Sequence, residues 1–254
     1  MGEKKIVRIA AIADVHCKKD SRDSMQKLFA QLTNDIDILL LGGDLCDTGI
    51  PEEAHILAHE LKNLRIPVLA VLGNHDFECG KAAEVETILC DAGVHMLGGT
   101  AREMHGVGFA GVKGFCGGFG DRALQAWGEP AIKAFVYEGV EESLKLESAL
   151  AKLRTPKRIA LLHYAPVIST IAGEPPEIAP FLGSSRLEEP LNHYAVTAAF
   201  HGHAHRGTHE GATTQGIPVY NVAKPLLERK FPDHPPFKIL DIDPEPGRNE
   251  LDNQ

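Results

Sequence analysis

The amino-acid sequence predicts an α/β fold in which two sheets pack face to face with helices on the outside. Apolar runs of strand length, such as IVRIAAIA and IDILLL, alternate with segments of helical periodicity through the first half of the chain. The strand pattern returns in the last third, and two packed sheets accommodate the strands of both halves. With 254 residues, the chain is long enough for one large domain with a well-buried core.

In the first half, strands and helices alternate. The first strand ends at Asp14, and Asp20 or Ser21 can cap the helix that follows it. Pro51 favours the start of a second helix, because proline is well tolerated in a first helical turn. The other elements predicted in this half are strands at 36–41, 67–72, 94–97 and 107–112 and helices at 52–64 and 81–92. This βαβαβ order predicts a parallel sheet with right-handed crossovers.

The second half is less regular. A glycine-rich loop covers residues 114–120, and a helical pattern extends over 123–153. Residues 173–190 are rich in proline and glycine and predict a long loop near the functional site. Further strands are predicted at 158–162, 197–200, 218–222 and 237–242. We expect one domain over residues 1–243, followed by a polar tail over 244–254.

Composition and charge limit the possible function classes. The chain is 43% hydrophobic and 24% charged, as is typical of soluble globular proteins. The net charge of −9 argues against a sequence-independent nucleic-acid binder, which would carry a basic stripe. It does not exclude an anionic small substrate, since bound cations can invert the local field.

Cysteine usage and the N-terminal sequence bear on the cellular compartment. The five cysteines form no CxxC pair, and their odd number is typical of reduced thiols in a cytosolic protein. The start MGEKKIVRIAAIAD resembles a signal peptide but has no small-residue cleavage pattern, so we interpret it as the first strand. No apolar run approaches the roughly 18 residues of a membrane helix. We therefore expect a cytoplasmic protein without a membrane partner.

Metal-binding side chains stand at five places where a predicted strand ends. They are Asp14, His16, Asp44, Asn74, His163, His203 and His205. Because ligands collect at the carboxyl edge of open α/β sheets, these side chains are expected to converge on one site. Their mixture of oxygen and imidazole ligands suits Mn, Fe, Zn, Co or Ni rather than Ca or Mg.

The spacing of these residues suits a pair of cations. Asp14 and His16 are two residues apart, so both side chains point to the same side of an extended strand end. Gly43 allows a sharp turn that places Asp44 between two metals. Asn74 contributes a neutral oxygen, which keeps the second metal strongly Lewis acidic. We expect two divalent or mixed-valence transition-metal ions, with Mn, Fe and Zn as the candidates.

Such a centre has a definite chemistry. Two metals about 3.5–4 Å apart lower the pKa of a bridging water, and the resulting hydroxide can attack phosphorus in line. His75 adjoins a ligand and is the candidate general acid for the leaving alkoxide. Asp47 is the expected carboxylate partner of His75, with Asp76 as the alternative or as a residue that only fixes the turn.

The motifs D-x-H, GDxxD, GNHD, a single histidine and GHxH, in this order, resemble those of the calcineurin-like metallophosphoesterase family. The resemblance extends from Asp14 to His205 and implies a four-layer α/β/β/α sandwich of two mixed sheets with a dinuclear centre. It also implies a catalytic acid at His75, oriented by Asp47. The implied ligands are Asp14, His16, Asp44 and His205 for the first metal and Asp44, Asn74, His163 and His203 for the second.

Departures from individual branches of the family narrow the expected substrate. Thr48-Gly49 and Asp76 stand where phosphoprotein phosphatases and diadenosine tetraphosphatases carry Arg-Gly and Glu. GNHD with GHxH is similar to the phosphodiesterase-like branch, including predicted phosphoesterases related to bacterial cyclic-AMP phosphodiesterases. We expect a phosphodiesterase acting on small soluble phosphate esters. The alternatives are a non-catalytic metal-binding scaffold of the same fold and a nuclease.

Several other residues invite a functional interpretation. His55 and His59 are four apart on a predicted helix but lack the Glu of HExxH, which favours an exposed helix face. Arg206 is a candidate contact for a substrate phosphate. His201 precedes the GHxH motif, and a structural role is expected for it.

Overall fold

Two sheets form the centre of the protein over residues 6–244, the part of the chain that the computed structural model describes. The strands of the first sheet are β1 (Val7–Ile12), β2 (Ile38–Gly42), β3 (Val68–Val71), β4 (His95–Met96) and β11 (Lys238–Ile242). Their order is β11-β1-β2-β3-β4. The four strands β1 to β4 run parallel, and β11 lies antiparallel at the edge. This confirms the predicted parallel βαβαβ start.

The second sheet is also mixed. Its strands are β5 (Thr100–Met104), β6 (Val107–Val112), β7 (Lys157–Leu162), β8 (Ala198–His201), β9 (Glu210–Ala212) and β10 (Pro218–Asn221). Their order is β5-β6-β7-β8-β10-β9, with parallel pairing from β6 to β10 and antiparallel edges at β5 and β9.

Helices cover the outer faces of both sheets. The helices are α1 (Arg22–Phe29), α2 (Pro51–Leu61), α3 (Ala82–Asp91), α4 (Pro130–Leu150), α5 (Ala179–Leu182), α6 (Glu188–His193) and α7 (Lys224–Lys230). The first three pack on the first sheet, and α4 and α6 pack on the second, as the apolar clusters of the core show.

The core has four apolar clusters, and the three large ones define four layers. Side chains of β1 alternate between two of them: Ala10 and Ile12 face the helices, whereas Ile9 and Ala11 face the second sheet. This alternation is the period of two that a strand imposes on its side chains. The middle cluster joins both sheets and contains Phe109 and Phe200, which are fully buried. The predicted four-layer α/β/β/α sandwich is confirmed.

Some predicted elements differ in extent. The helix predicted over 123–153 begins only at Pro130, since Gly128 has a φ of 72° and breaks the preceding segment. The long loop predicted over 173–190 contains α5 and the start of α6. Ser21 stands at the predicted N-cap of α1, yet its hydroxyl accepts a hydrogen bond from the main-chain N–H of Lys18 instead of capping the helix.

Besides α5 and α6, which begin in the segment predicted as a loop, the sequence patterns missed three elements. Strand β5 is a mostly polar edge strand, and β9 has only three residues, so neither shows a clear alternation of apolar and polar side chains. Helix α7 is the third, a short helix of seven residues. Residues 1–5 and 245–254 lie outside the described chain, and with them most of the predicted tail.

Two further observations concern the expected compartment. Within residues 6–244, no helix combines the length and the apolar character needed to cross a membrane. All five cysteines are free: Cys79 and Cys90 are exposed, and Cys17, Cys46 and Cys116 are buried.

Candidate metal centre

The seven predicted ligands lie where five parallel strands end. β1 ends at Ile12, β2 at Gly42, β3 at Val71, β7 at Leu162 and β8 at His201. The ligands follow these ends within four residues in every case: Asp14 and His16, Asp44, Asn74, His163, and His203 and His205. The two packed sheets thereby bring groups that are distant in sequence to one edge of the sandwich.

Three of these side chains form a first cluster. The candidate ligand atoms of Asp14, His16 and His205 lie within 4.8 Å of one another. Asp14 Oδ1 is 3.0 Å from His205 Nε2, and Asp14 Oδ2 accepts a hydrogen bond of 3.0 Å from the main-chain N–H of His203. The Asp14 carboxylate is buried. Its contacts with His203 and His205 of the GHxH segment hold it in place.

A second cluster contains Asp44, His163 and His203, again with candidate ligand atoms within 4.8 Å of one another. Asn74 joins it, because its Oδ1 lies 2.8 Å from His163 Nε2. The same nitrogen is 3.4 Å from Asp44 Oδ1. The predicted second ligand set thus faces one point.

Asp44 lies between the two clusters. One of its carboxylate oxygens is 3.8 Å from His16 Nε2, and the other is 3.4 Å from His163 Nε2. Its side chain is buried, and Oδ1 accepts a hydrogen bond of 2.9 Å from the main-chain N–H of His75. One carboxylate that faces both clusters has the geometry of a bridging ligand.

The histidine nitrogens fit metal coordination better than hydrogen bonding. His163 Nδ1 lies 3.0 Å from the carbonyl oxygen of Gly42, which can only accept, so the proton is on Nδ1. Nε2 then carries a lone pair and faces Asn74 Oδ1, which also carries lone pairs. Two acceptors cannot form a hydrogen bond with each other, but both can bind a cation between them. Both ring nitrogens of His16 are buried without a hydrogen-bond partner. The side chains present therefore fit a pair of transition-metal ions.

Burial keeps the imidazoles of the second cluster neutral. It lowers the pKa of both His163 and His203 to about 4. His203 Nε2 lies 3.2 Å from the carbonyl oxygen of Phe181, so the proton is on Nε2 and Nδ1 carries the lone pair. A neutral imidazole is the form that binds a metal.

The two buried aspartates influence each other. Burial and the nearby Asp14 carboxylate raise the pKa of Asp44 to about 6. Burial alone would raise the pKa of Asp14 as well, but the hydrogen bond to His205 and the neighbouring imidazoles lower it overall. Cations at this site would offset the repulsion between the two carboxylates.

Strained backbone is concentrated at the predicted ligands. Among residues 6–244, six non-glycine residues have a positive φ, and four of them are Asp14, His16, Asp44 and His203. A left-handed conformation costs on the order of 1 kcal/mol or more for such residues and persists where the surrounding structure imposes it. Gly43, beside Asp44, has a φ of 87°, and a Cβ there would lie 2.5 Å from His163 Nδ1. Strain of this kind is typical of functional sites.

His75 lies beside the metal ligands without belonging to either predicted set. Its ring centroid is 4.6 Å from that of His16, and its Nδ1 lies 2.6 Å from the main-chain carbonyl oxygen of Asp47. Burial lowers the pKa of His75, but the hydrogen bond to Asp47 and the carboxylates of Asp44 and Glu78 outweigh it, so the pKa is raised overall. A raised pKa keeps the imidazolium available as a proton donor.

The structure shows how the predicted partner of His75 contacts it, and the charge of Asp47 is among the groups that raise the pKa of His75. Asp47 contacts the His75 ring through its main-chain carbonyl oxygen, whereas its carboxylate lies 3.6 Å from His16 Nδ1. Asp76, the alternative partner, fixes the turns instead. Its carboxylate accepts hydrogen bonds from the main-chain N–H groups of Cys46 and Gly73, both at 2.8 Å, and of Leu45 at 3.2 Å.

The other residues singled out in the sequence lie apart from the two clusters. His55 and His59 are exposed on α2, and Arg206 is exposed beside Glu174. His201 is buried, with Nε2 2.8 Å from Thr170 Oγ1 and Nδ1 2.8 Å from the carbonyl oxygen of Gly202. These contacts are those of a structural histidine.

Sequence reasoning missed three residues that contact the centre or its neighbours. The ring of Tyr164 lies 4.5 Å from the ring of His203, and the carbonyl oxygen of Phe181 contacts His203 Nε2. Lys113 is largely buried, with its ammonium group 5.5 Å from the ring of Tyr164. Only the position of Tyr164, next to His163, carried a signal in the sequence.

Comparison with solved structures supports the architecture. The chain superposes on the phosphopantetheinyl hydrolase of Mycobacterium tuberculosis with a TM-score of 0.68 and 15% sequence identity, covering 96% of this chain and 98% of the other. A protein of Thermus thermophilus gives a TM-score of 0.51 and 16% identity, covering 95% of this chain and all of the other. At this level of sequence identity, the similarity supports a shared fold only.

Sequence comparison gives two curated relatives. A probable cyclic nucleotide phosphodiesterase of Fibrobacter succinogenes is 34% identical over 83 residues, which are 29% of this chain and 32% of that protein. A 3′,5′-cyclic-nucleotide phosphodiesterase of Nostoc sp. is 34% identical over 88 residues, 30% of this chain and 33% of the relative. The chain therefore matches about a third of the length of each relative.

The match to a family profile extends much further along the chain. Residues 7–207, which include all seven predicted ligands, match the profile of the calcineurin-like phosphoesterases. The fold and the arrangement of the strand ends agree with this match. The chain belongs to the calcineurin-like phosphoesterase family.

Proposed function

We propose that the protein hydrolyses small soluble phosphodiesters at a two-metal centre bridged by Asp44. The observation that carries this proposal is the position of the Asp44 carboxylate, 3.8 Å from His16 Nε2 on one side and 3.4 Å from His163 Nε2 on the other. His75 stands beside the same carboxylate as the proton donor.

The two ligand sets follow the two clusters. Asp14, His16, Asp44 and His205 would hold the first ion, and Asp44, Asn74, His163 and His203 would hold the second. Two such ions would lower the pKa of a water and neutralise charge on the phosphoryl oxygens. The mixture of imidazole and oxygen ligands favours Mn, Fe or Zn.

His75 protonates the leaving oxygen. Its Nδ1–H donates to the Asp47 carbonyl oxygen, so Nε2 is the nitrogen that can transfer a proton to the substrate. A proton on Nε2 stabilises the leaving alkoxide, which is a poor leaving group when it is unprotonated. The carboxylate of Asp47, beside His16, positions a metal ligand rather than the acid.

Three observations favour a small diester in the cytoplasm. The curated relatives are named as cyclic-nucleotide phosphodiesterases. The net charge of −9 is unfavourable for a nucleic-acid substrate. The free thiols are typical of a reducing compartment.

The direct test is hydrolysis of diphenyl phosphate, whose phenolate leaving group is poorer than p-nitrophenolate and gains more from a proton donor, by Mn²⁺-loaded protein. It is compared with H75A and with H55A, an exposed histidine on α2 as the matched control. We expect turnover by wild type and H55A and a loss of roughly 10²–10⁴-fold in H75A with its metals retained. Wild type that binds metal and does not exceed H75A would contradict the proposal and favour the scaffold alternative. Cleavage confined to DNA or RNA would favour the nuclease.

A further inference from the structure

A cavity of about 380 Å³ lies between the two irregular segments 114–127 and 173–190. Its walls include Leu124, Ile132, Phe135 and Phe181, and Arg122 is the one charged residue that lines it. We call this cavity the Phe181 pocket. Apolar cavities of this size with few polar groups are typical of small-molecule sites.

The Phe181 pocket adjoins the metal centre. The carbonyl oxygen of Phe181 is 3.2 Å from Nε2 of His203, while 58% of the Phe181 residue surface remains exposed. A second connection runs through aromatic rings: the centroid distances are 4.5 Å from His203 to Tyr164, 5.9 Å from Tyr164 to Phe115 and 5.0 Å from Phe115 to Phe135. Phe181 of the pocket wall thus contacts His203 of the second ligand set through its main chain, and the wall ring of Phe135 is linked to His203 through two intervening rings.

Hydrogen bonds between the two segments hold the pocket open. The N–H of Gly117 donates to the carbonyl oxygen of Pro180 at 2.8 Å. Arg186 Nη2 donates to the carbonyl oxygen of Leu124 at 3.1 Å. Because these bonds form within the protein, the pocket does not depend on a ligand to take shape.

The position of the pocket identifies the part of the substrate that it receives. His203 belongs to the cluster with Asp44 and His163, whereas His75 belongs to a group with His16 and Asp44. The leaving oxygen must reach His75 to receive its proton. An ester group in the Phe181 pocket, on the His203 side of Asp44, is then the group that stays on phosphorus.

We propose that the substrates are phosphodiesters whose retained ester group is uncharged, apolar and about the size of one aryl ring, and that this group binds in the Phe181 pocket. This inference rests on the proposed function. The wall of leucine, isoleucine and phenylalanine side chains has few partners for a charged or heavily hydroxylated group. Rings of Phe135 and Phe181 offer surfaces on which an aryl group can stack.

The test compares two synthetic diesters that share a leaving group, phenyl p-nitrophenyl phosphate and methyl p-nitrophenyl phosphate. In both reactions, the oxygen of water bonds to phosphorus, and the P–O bond to p-nitrophenolate breaks. The products are p-nitrophenolate, phenyl or methyl phosphate, and the released protons. Metal-loaded wild type is expected to prefer the phenyl diester by roughly tenfold or more in kcat/KM.

Substitutions in the wall separate this inference from the proposed function. I132W fills the pocket, and F181A and L124A remove parts of the wall, so each is expected to reduce the phenyl-to-methyl ratio towards one. Y137A, an exposed residue on the same helix as Ile132, is the control and should leave the ratio unchanged. The phenyl-to-methyl ratio of kcat/KM is measured within one protein preparation. If I132W fails to fold, F181A and L124A still test the inference.

A wild-type ratio near one, or a high ratio that persists in these variants, overturns the inference and leaves the phosphodiesterase assignment intact. Failure of metal-loaded wild type to hydrolyse both diesters overturns the proposed function and the inference together.

Discussion

The Nδ1 atom of His75 lies 2.6 Å from the main-chain carbonyl oxygen of Asp47, and the Asp47 carboxylate points instead to His16, 3.6 Å from its Nδ1. The His75 ring is therefore oriented by the peptide backbone of the segment that follows β2. A substitution of the Asp47 side chain preserves that carbonyl. It removes a carboxylate next to His16, a proposed metal ligand.

This separation predicts different defects for D47A and H75A. H75A should lower kcat by roughly 10²–10⁴-fold at every metal concentration, because the proton donor is lost. D47A should raise the Mn²⁺ concentration needed for half-maximal activity by roughly 10–100-fold, because His16 loses a carboxylate that orients it. Metal titrations of activity measure both effects. D23A, an exposed residue on α1, is the control.

The two defects distinguish the roles only if D47A recovers most of its kcat at saturating Mn²⁺. A D47A variant as inactive as H75A under saturating metal would mean that the carboxylate itself serves the proton transfer.

Asp76 predicts a pH-dependent stability in metal-free protein. Burial raises its pKa to about 7, although three main-chain N–H groups donate to the carboxylate. A carboxyl group with a raised pKa in the folded state stabilises the fold below its unfolded pKa of about 3.9, and this contribution is lost as the pH rises through about 7. Wild type should therefore lose stability relative to D76N between pH 5 and pH 8, on the order of 2–4 kcal/mol.

Thermal or denaturant unfolding of EDTA-treated wild type and D76N at the two pH values measures this difference, with D91N on the exposed face of α3 as the control. An equal gap between wild type and D76N at both pH values would show that Asp76 keeps one ionisation state in the folded protein throughout this range.

The glycine before Asp44 offers a test of close packing at the second metal. Gly43 and Gly80 both have a positive φ, of 87° and 75°, but a Cβ at Gly43 meets the His163 ring whereas a Cβ at Gly80 meets nothing within 4 Å. G80A should cost about 1 kcal/mol of unfolding free energy from backbone strain alone. G43A should cost more and should also lose metal, because it displaces His163.

Unfolding free energies and metal content of the two variants check this prediction. Full metal occupancy in G43A would contradict the packing of His163 against the turn after β2.

The first half of the fold and the position of the candidate ligands at strand ends followed from sequence because they depend on local patterns. Strands such as β2 are buried on both faces and appear as uninterrupted apolar runs, and the polar residues after them mark the sheet edge. The family resemblance then suggested which ligands share a metal. Those assignments agree with the clusters around Asp14 and His163 and remain a proposal.

Other features depended on contacts that no local pattern contains. The hydrogen bond of His75 to a carbonyl oxygen, rather than to a carboxylate, is set by the path of the chain after Asp44. Phe181 contacts His203 across 22 residues of sequence, within a segment whose prolines and glycines predicted only a loop. Strand β5 is mostly polar and lacks a clear alternation, so its sequence does not distinguish an edge strand from a turn.

The central claim is a pair of cations that share Asp44, and anomalous X-ray diffraction from Mn²⁺-loaded crystals tests it most directly. Two anomalous peaks about 3.5–4 Å apart, with the Asp44 carboxylate touching both, are the expected result. A single peak, or two peaks of which only one contacts Asp44, would contradict the account.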